Sequence, residues 1–288
     1  LPPGCALTVQ DGRVTREWQF WDLPYARPID DGLSPKDAVE RLREELAAAV
    51  RRQLVSDVPV GAFLSGGVDS SSVVSFACDT VEPETLRCFT IGVRGRSSET
   101  EGMSADLHYA QQVALHLGVP LETVWAAPEM IDELPGVLYF LDEPQADAAP
   151  INGMLICERA RQQGFNVLLS GVGGDDLFTG YRRHSALLRE RYWSWLPKIA
   201  RRGISAAALG IPVGSPLARR ISKALQHAHL DDEERLARYF DWVPPGLFDG
   251  IFQPDIRRDL AGHDAMDPLL EALEALPHDT PALNRMLY

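Results

Sequence analysis

The 288-residue chain has only four cysteines, Cys5, Cys78, Cys88 and Cys157, and no two of them form a C-x-x-C pair. That pattern excludes a disulfide framework and a cysteine metal site, and it suits a reducing compartment, so a cytoplasmic protein is expected. No apolar run approaches the roughly twenty residues that a membrane-crossing helix requires. Positive charge is also short: the formal net charge is −13. Nucleic acid or an anionic membrane as the main partner would favour a basic surface, so the charge argues against both. Internal repeats and low-complexity tracts are lacking as well.

Against that acidic background, residues 181–223 hold ten Lys or Arg and a single acid, Glu190, giving +9 there and −22 elsewhere. A solvated helical face is the simplest reading; an anion-attracting rim beside a phosphate site is the sharper one. Tyr192, Trp193 and Trp195 fit either such a rim or a core stripe. His184 reads as a surface residue, and His227 with His229 lacks enough partners for a metal site.

With 45% apolar residues, the chain can bury a sizeable core in one large or two modest domains. Its start, Leu1-Pro2-Pro3-Gly4 without methionine, suggests a piece of something longer. Two strand-like runs flank Asp11-Gly12, a dipeptide that favours a tight hairpin. A helix opens with Ser34 as N-cap, Pro35 in its first turn and Asp37 behind it; Val39, Leu42, Leu46, Val50 and Leu54 predict one buried stripe. Strands are expected at 60–64, 86–93 and 121–124, with helices at 130–141 and 151–163. "SADLHYAQQVALHLG" reads as a helix closed by Gly118. "NVLLSGVGGDDLF" reads as an apolar strand feeding a glycine loop. This alternation predicts an α/β fold, a parallel sheet with helices on both faces. Beyond Tyr181 no strand is evident, so the last third is expected to be helical.

Parallel sheets bind ligands at the C-terminal ends of their strands, and two expected strands end in glycine loops, Ser65-Gly66-Gly67-Val68-Asp69-Ser70 and Ser170-Gly171-Val172-Gly173-Gly174-Asp175. Glycines let backbone N–H groups approach an anion, a following helix N-terminus adds positive potential, and Ser65, Ser70 and Ser71 offer hydroxyls. Phosphate or pyrophosphate is the expected occupant. Asp69 and Asp175 would repel it directly, but both suit Mg²⁺, which takes one or two carboxylates plus phosphate oxygens. No lysine follows the first loop, which disfavours Walker-type γ-phosphoryl transfer. Asp142, Glu143 and Asp147 form an acidic loop that reads equally as a site or as solvated surface.

"DVPVGAFLSGGVDSSSVV" resembles the pyrophosphate-loop signature of the asparagine synthetase family, and "VLLSGVGGDDLFTGYRRH" resembles that family's second ATP-site motif. "CFTIG", "SADLHYAQQVALHLG" and "LDEPQADAAP" fall in the family's order. The resemblance implies a Rossmann-like, pyrophosphate-loop synthetase domain that uses ATP and Mg²⁺ to adenylate an aspartate-like carboxylate and release pyrophosphate before an amine attacks. Ser65, Gly66, Gly67, Asp69 and Ser70 would hold pyrophosphate and metal, with Asp175 as the second metal carboxylate. Leu64, Ile91, Ser170 and Gly171 would line the adenosine pocket. Residues 1–30 would be the closing hairpin and linker of an N-terminal glutaminase domain otherwise missing from this sequence, 31–185 the ATP-binding core and 186–288 its helical C-terminal part.

Three departures accompany the resemblance. Val172 stands where the family carries an acidic residue, Cys5 does not match the glutaminase cysteine, and the chain ends at "PALNRMLY" without the family's later D-R and L-E-x-R-x-P stretches. Val172 leaves the catalytic residues unassigned. It favours a relative acting on a small-molecule or peptide carboxylate, such as an intramolecular former of a β-lactam or macrolactam, or a scaffold that binds nucleotide without chemistry. A pyrophosphate-loop enzyme acting on tRNA would want a basic domain and reactive cysteines, which this sequence does not offer.

Overall fold

A computed structural model describes residues 1–23, 32–93, 103–141, 149–212, 214–241 and 247–288. They form two compact units, one of residues 30–175 and one that joins residues 1–29 to 176–288.

The first unit is built on a four-stranded parallel sheet of β3 (Val60–Phe63), β4 (Cys88–Val93), β5 (Leu121–Ala126) and β6 (Val167–Leu169), in the order β5-β4-β3-β6. Strand alternation sorts the side chains onto two faces. Ala62, Leu64, Cys88 and Leu169 face α1 (Pro35–Gln53), α2 (Val68–Cys78) and α3 (Met103–Leu117) through Val50, Val74, Ala77, Ala110 and Ala114. On the other face Phe63, Phe89, Ile91, Val124 and Leu168 meet Ile156 and Ala160 of α5 (Ala149–Gln162).

The strand order follows from handedness. The chain steps from β3 to β4 to β5 through α2 and α3 on one face, then returns past β3 to β6 through α5 on the other. A reversed direction of travel keeps the crossovers right-handed only if the helix changes face. The reversal puts the C-terminal ends of β3 and β6 side by side, where open α/β sheets form a ligand crevice.

Several elements differ from expectation. The second strand begins at Cys88 rather than at residue 86, because Pro83–Thr85 is a 3₁₀ turn that delivers Leu86 into the core. The third strand runs on to Ala126, and the last strand shrinks to three residues. The helix expected over 130–141 divides into a 3₁₀ stretch, Pro128–Glu133, and α4 (Leu134–Leu141). Ser34 caps α1 as expected, its Oγ accepting from Asp37 N–H at 3.2 Å. The predicted stripe of α1 is buried only in its second half: Val39 is 58% and Leu42 42% exposed, whereas Val50 lies in the core against α2.

In the second unit, β1 (Cys5–Gln10) and β2 (Arg13–Gln19) pair antiparallel around Asp11 and Gly12, whose φ angles of 51° and 72° are those of the expected tight turn. The rest is helical, and no strand follows Tyr181 among the described residues. After the four-residue α6 (Gly174–Leu177), which opens within the first unit, come α7 (Arg182–Arg189), α8 (Lys198–Leu209), α9 (Pro216–Leu225), α10 (Asp232–Ala237), α11 (Leu247–Ile251), α12 (Pro254–Asp259), α13 (Asp267–Glu274) and α14 (Ala282–Leu287). Leu187, Leu236, Leu273, Leu276 and Met286 bring α7, α10, α13 and α14 onto one core.

Two expectations change here. His184, expected at the surface, is 1% exposed; it sits three residues before Leu187 and therefore shares that helix's buried face. The aromatic residues of the basic stretch divide: Tyr192 and Trp195 are exposed, while Trp193 lies 5.3 Å from the Arg235 guanidinium. Arg235 is itself buried, its Nε donating to Glu190 Oε2 at 2.8 Å and its other nitrogens to Asp232 Oδ1 and the Leu230 carbonyl. Tyr239 Oη donates to Glu190 Oε1 at 2.8 Å, and burial followed by the Glu190 charge pushes its phenol far above the ordinary range.

Candidate functional site

The two glycine loops meet at the C-terminal ends of β3 and β6. The first turns at Gly66, whose φ of +82° suits glycine and whose Cα faces the backbone of α3; a methyl there would lie 2.7 Å from Tyr109 Cβ. Gly67 is the N-cap of α2, and the first backbone bond of that helix runs from Ser71 N–H to the Gly67 carbonyl at 3.1 Å. The amides of Val68, Asp69 and Ser70 precede that bond, so their own helix offers them no acceptor. Amides at the start of a helix favour an anion.

The serines tie the loop together. Ser70 Oγ accepts from Ser65 N–H at 3.2 Å and lies 2.9 Å from Ser65 Oγ, which accepts from Gly67 N–H at 3.3 Å. A hydroxyl pair consumes one proton. Ser70 Oγ can also donate to the Gly67 carbonyl at 3.4 Å, so the Ser65 proton is available to a ligand only when Ser70 donates to Ser65 instead.

The second loop rests directly on the first. A methyl on Gly171 would lie 2.5 Å from Ser70 N and 2.9 Å from Ser70 Cα. A methyl on Gly174 would lie 2.5 Å from Asp69 Oδ2. Gly173 supplies the turn between them with φ +92°. Gly171→Ala is accordingly expected to push backbone against backbone, destabilise the fold by about 1–3 kcal/mol and abolish ligand binding by parting the loops; denaturant unfolding and calorimetry with Mg·ATP check this.

Asp69 is half-buried, and its carboxyl is held above the usual carboxylate range first by burial and then by the negative charge of Asp175. Two acids forced together with their charge uncompensated are a donor set that suits a divalent cation. The residues present therefore fit Mg²⁺ bound by Asp69 and Asp175, with further oxygens supplied by phosphate. No group of three or more His, Cys, Asp or Glu side chains gathers among the described residues, here or elsewhere, so the protein would supply this cation with two carboxylates only.

The expected adenosine-side residues fall less uniformly. Ser170 and Gly171 stand in the second loop, Ser170 Oγ accepting from Val172 N–H at 3.1 Å. The Leu64 side chain is fully buried in the core, so it can offer a ligand only its main chain, and its N–H already donates to the Phe89 carbonyl at 2.9 Å. Ile91 packs partly buried on the α5 face. Val172 is 93% exposed. Asp142, Glu143 and Asp147 lie outside the described residues.

Sequence reasoning missed the α3 backbone that receives Gly66 and the seat of Asp69 on Gly174. The second had a visible signal: two consecutive glycines before Asp175, of which the turn requires only one.

The sequence matches the family described as asparagine synthase over residues 41–288. It is 35% identical over 191 residues to a putative glutamine-hydrolysing asparagine synthetase of Methanocaldococcus jannaschii, covering 66% of this chain and 35% of that protein. A glutamine-hydrolysing asparagine synthetase of Bacillus subtilis is 31% identical over 216 residues, 74% of this chain and 32% of that one. The chain thus spans about a third of the length of these curated relatives. Among solved structures, the glutamine-dependent NAD+ synthetase of Acinetobacter baumannii in complex with ADP aligns at 21% identity with a TM-score of 0.37, over 53% of this chain and 29% of that one.

Proposed function

Because the chain belongs to the asparagine synthase family, we propose that it is the synthetase part of an ATP-dependent carbon–nitrogen ligase that adenylates a carboxylate, releases pyrophosphate and passes the acyl group to an amine. The observation that carries this reading is the contact of the two loops, which puts the amides of Val68, Asp69 and Ser70 beside the Asp69–Asp175 pair.

Attack of a carboxylate on the α-phosphorus requires a leaving pyrophosphate held along its length. The loop amides and the Ser65 hydroxyl would hold it, and their fixed N–H dipoles favour the charge that develops on it. Asp69 and Asp175 would carry Mg²⁺, which when bound supplies charge neutralisation to the phosphate oxygens. Adenosine would lie along Leu64, Ile91, Ser170 and Gly171, read mainly through main-chain groups. In the whole protein a glutaminase domain in the same chain would supply ammonia, in keeping with the glutamine-hydrolysing relatives.

The test uses the full-length protein in ATP–pyrophosphate exchange with a panel of carboxylates that includes aspartate. Carboxylate-dependent exchange with AMP as co-product is expected; ADP, or Mg·ATP binding without exchange for any carboxylate, overturns the ligase reading.

Val172 favours a second reading within the same chemistry, an intramolecular amide former. An exposed aliphatic side chain supplies no general base at a position where the family resemblance implies an acid. Val172→Glu is then expected to create aspartate-dependent turnover measurable by amino-acid analysis, and an inactive variant counts against substrate redirection through this position.

A further inference from the structure

Within the helical unit, α8 and α9 carry their polarity in reverse. A surface helix ordinarily buries an apolar stripe and shows water a polar one. On α8 the inward side holds Arg201, whose Nη1 donates to the Ala228 and Leu230 carbonyls at 3.2 and 3.0 Å, and Ser205, whose Oγ donates to the Gln226 carbonyl. Its outward side runs through Ile199, Gly203 and Ala206 at four- and three-residue steps. On α9, Ser222 is buried while Leu217 and Ile221 are exposed. Ile199 is 82% and Trp195 73% exposed, and Tyr192 and Leu209 face solvent as well. The Trp195 indole N–H already donates to the Tyr192 carbonyl at 3.1 Å, so its open ring offers apolar surface.

The charge on these two helices is of one sign. Every exposed polar side chain on α8 and α9 is Lys or Arg. Between Tyr181 and Leu230 the only acid is Glu190, and it is buried against Arg235 and Tyr239. Lys198 pairs with Asp231, but Arg202, Arg219 and Arg220 have no ion pair among the described residues.

An exposed apolar surface bordered by uncompensated cations calls for an occupant that is both apolar and anionic. A nucleic acid would supply the charge and could stack on Trp195 and Tyr192, but it gives the aliphatic side chains nothing to enter. A protein partner is specified by about one hydrogen bond per 100–200 Å², and here the exposed polar groups are cations alone. An anionic bilayer needs no directional contact: aliphatic and aromatic side chains enter the headgroup boundary, and each nearby cation strengthens binding about fivefold. The acidic remainder of the chain is repelled by the same surface, which leaves this segment as the favourable point of contact.

We propose that the outward sides of α8 and α9, with Tyr192 and Trp195, form a docking surface for an anionic lipid bilayer. Ile199, Leu217 and Trp195 enter the interface, and Arg202, Arg219 and Arg220 meet the lipid headgroups. The proposal is independent of the ligase reading.

The experiment is sedimentation of the full-length protein with vesicles of mixed phosphatidylcholine and phosphatidylserine, and with vesicles of phosphatidylcholine alone. Binding to the mixed vesicles is expected, with loss on the neutral ones and at about 0.5 M salt. Arg202→Gln, Arg219→Gln and Arg220→Gln together should weaken partition about a hundredfold. Ile199→Ser with Leu217→Ser should weaken it about tenfold, which separates insertion from attraction by charge alone. A blue shift of tryptophan emission on adding mixed vesicles, lost in Trp195→Phe, serves if the serine pair fails to fold. Absence of binding to mixed vesicles, equal binding to neutral ones, or full binding by either combined variant overturns the proposal. So does displacement from vesicles by a single-stranded oligonucleotide, or a vesicle-independent dimer that the arginine changes abolish. None of these outcomes bears on ATP–pyrophosphate exchange.

Discussion

Asp69→Asn and Asp175→Asn are each expected to lower ATP–pyrophosphate exchange by about a thousandfold, some 4 kcal/mol of transition-state stabilisation, without loss of the fold. Asparagine preserves the size of the side chain and most of its hydrogen-bonding capacity but cannot neutralise a cation. The stability half of the prediction follows from the charge pair. Asp69 is held above the ordinary carboxylate range by burial and by Asp175, so the folded state disfavours the ionised form. The unfolded chain gives up that proton first as pH rises; the contribution to stability is present below the unfolded value and lost as pH climbs through the folded one. Asp69→Asn should therefore unfold at a temperature equal to or above wild type at neutral pH, and this part of the pH slope should vanish. Exchange activity retained within tenfold in either variant removes that residue from the metal shell; a lowered melting temperature shows that the carboxylate supports the fold instead.

Glu190→Ala should produce the largest stability loss, about 3–5 kcal/mol, confined to the helical unit. Glu190 accepts from both Arg235 Nε and Tyr239 Oη, and all three groups are wholly or partly withdrawn from water. Removing the acid leaves a buried guanidinium with part of its charge uncompensated and a phenol without its acceptor, so the penalty is that of stranded donors rather than of one lost contact. Arg235→Met with Glu190→Leu removes both charges and should recover much of the loss, since a buried pair replaced by apolar groups is often close to neutral. Urea unfolding monitored through tryptophan fluorescence measures both, with Trp193 a neighbour of the perturbed guanidinium.

The loops and the sheet were legible because both depend on local rules. Alternating strands and helices fix a parallel sheet, and a glycine loop between a strand and a helix has few other uses. The partial burial of α1 was not legible, because the period of a stripe says which face is apolar but not where along the helix a partner ends. His184 was misread because a histidine carries no marker of burial by itself; its spacing from Leu187 carried the information and charge composition obscured it. Arg183 was visible only as one cation in a basic run. Its guanidinium stacks on Phe240, nearly sixty residues away, and no local pattern joins the two. Within the candidate site, the two glycine loops followed from glycine chemistry, whereas the seat of Asp69 on Gly174 is a contact between segments more than a hundred residues apart.

That separation bears on the order of events as the polypeptide leaves the ribosome. β3 pairs with β6 in a register that joins Val60 to Val167, a closure across about a hundred positions. Such long-range pairings form slowly, after the local β-α-β units are already in place. Until β6 arrives, β3 is an unprotected strand edge flanked by apolar surface, a template for association with other chains. The nascent chain is thus most vulnerable to aggregation in the interval between synthesis of β3 and synthesis of β6.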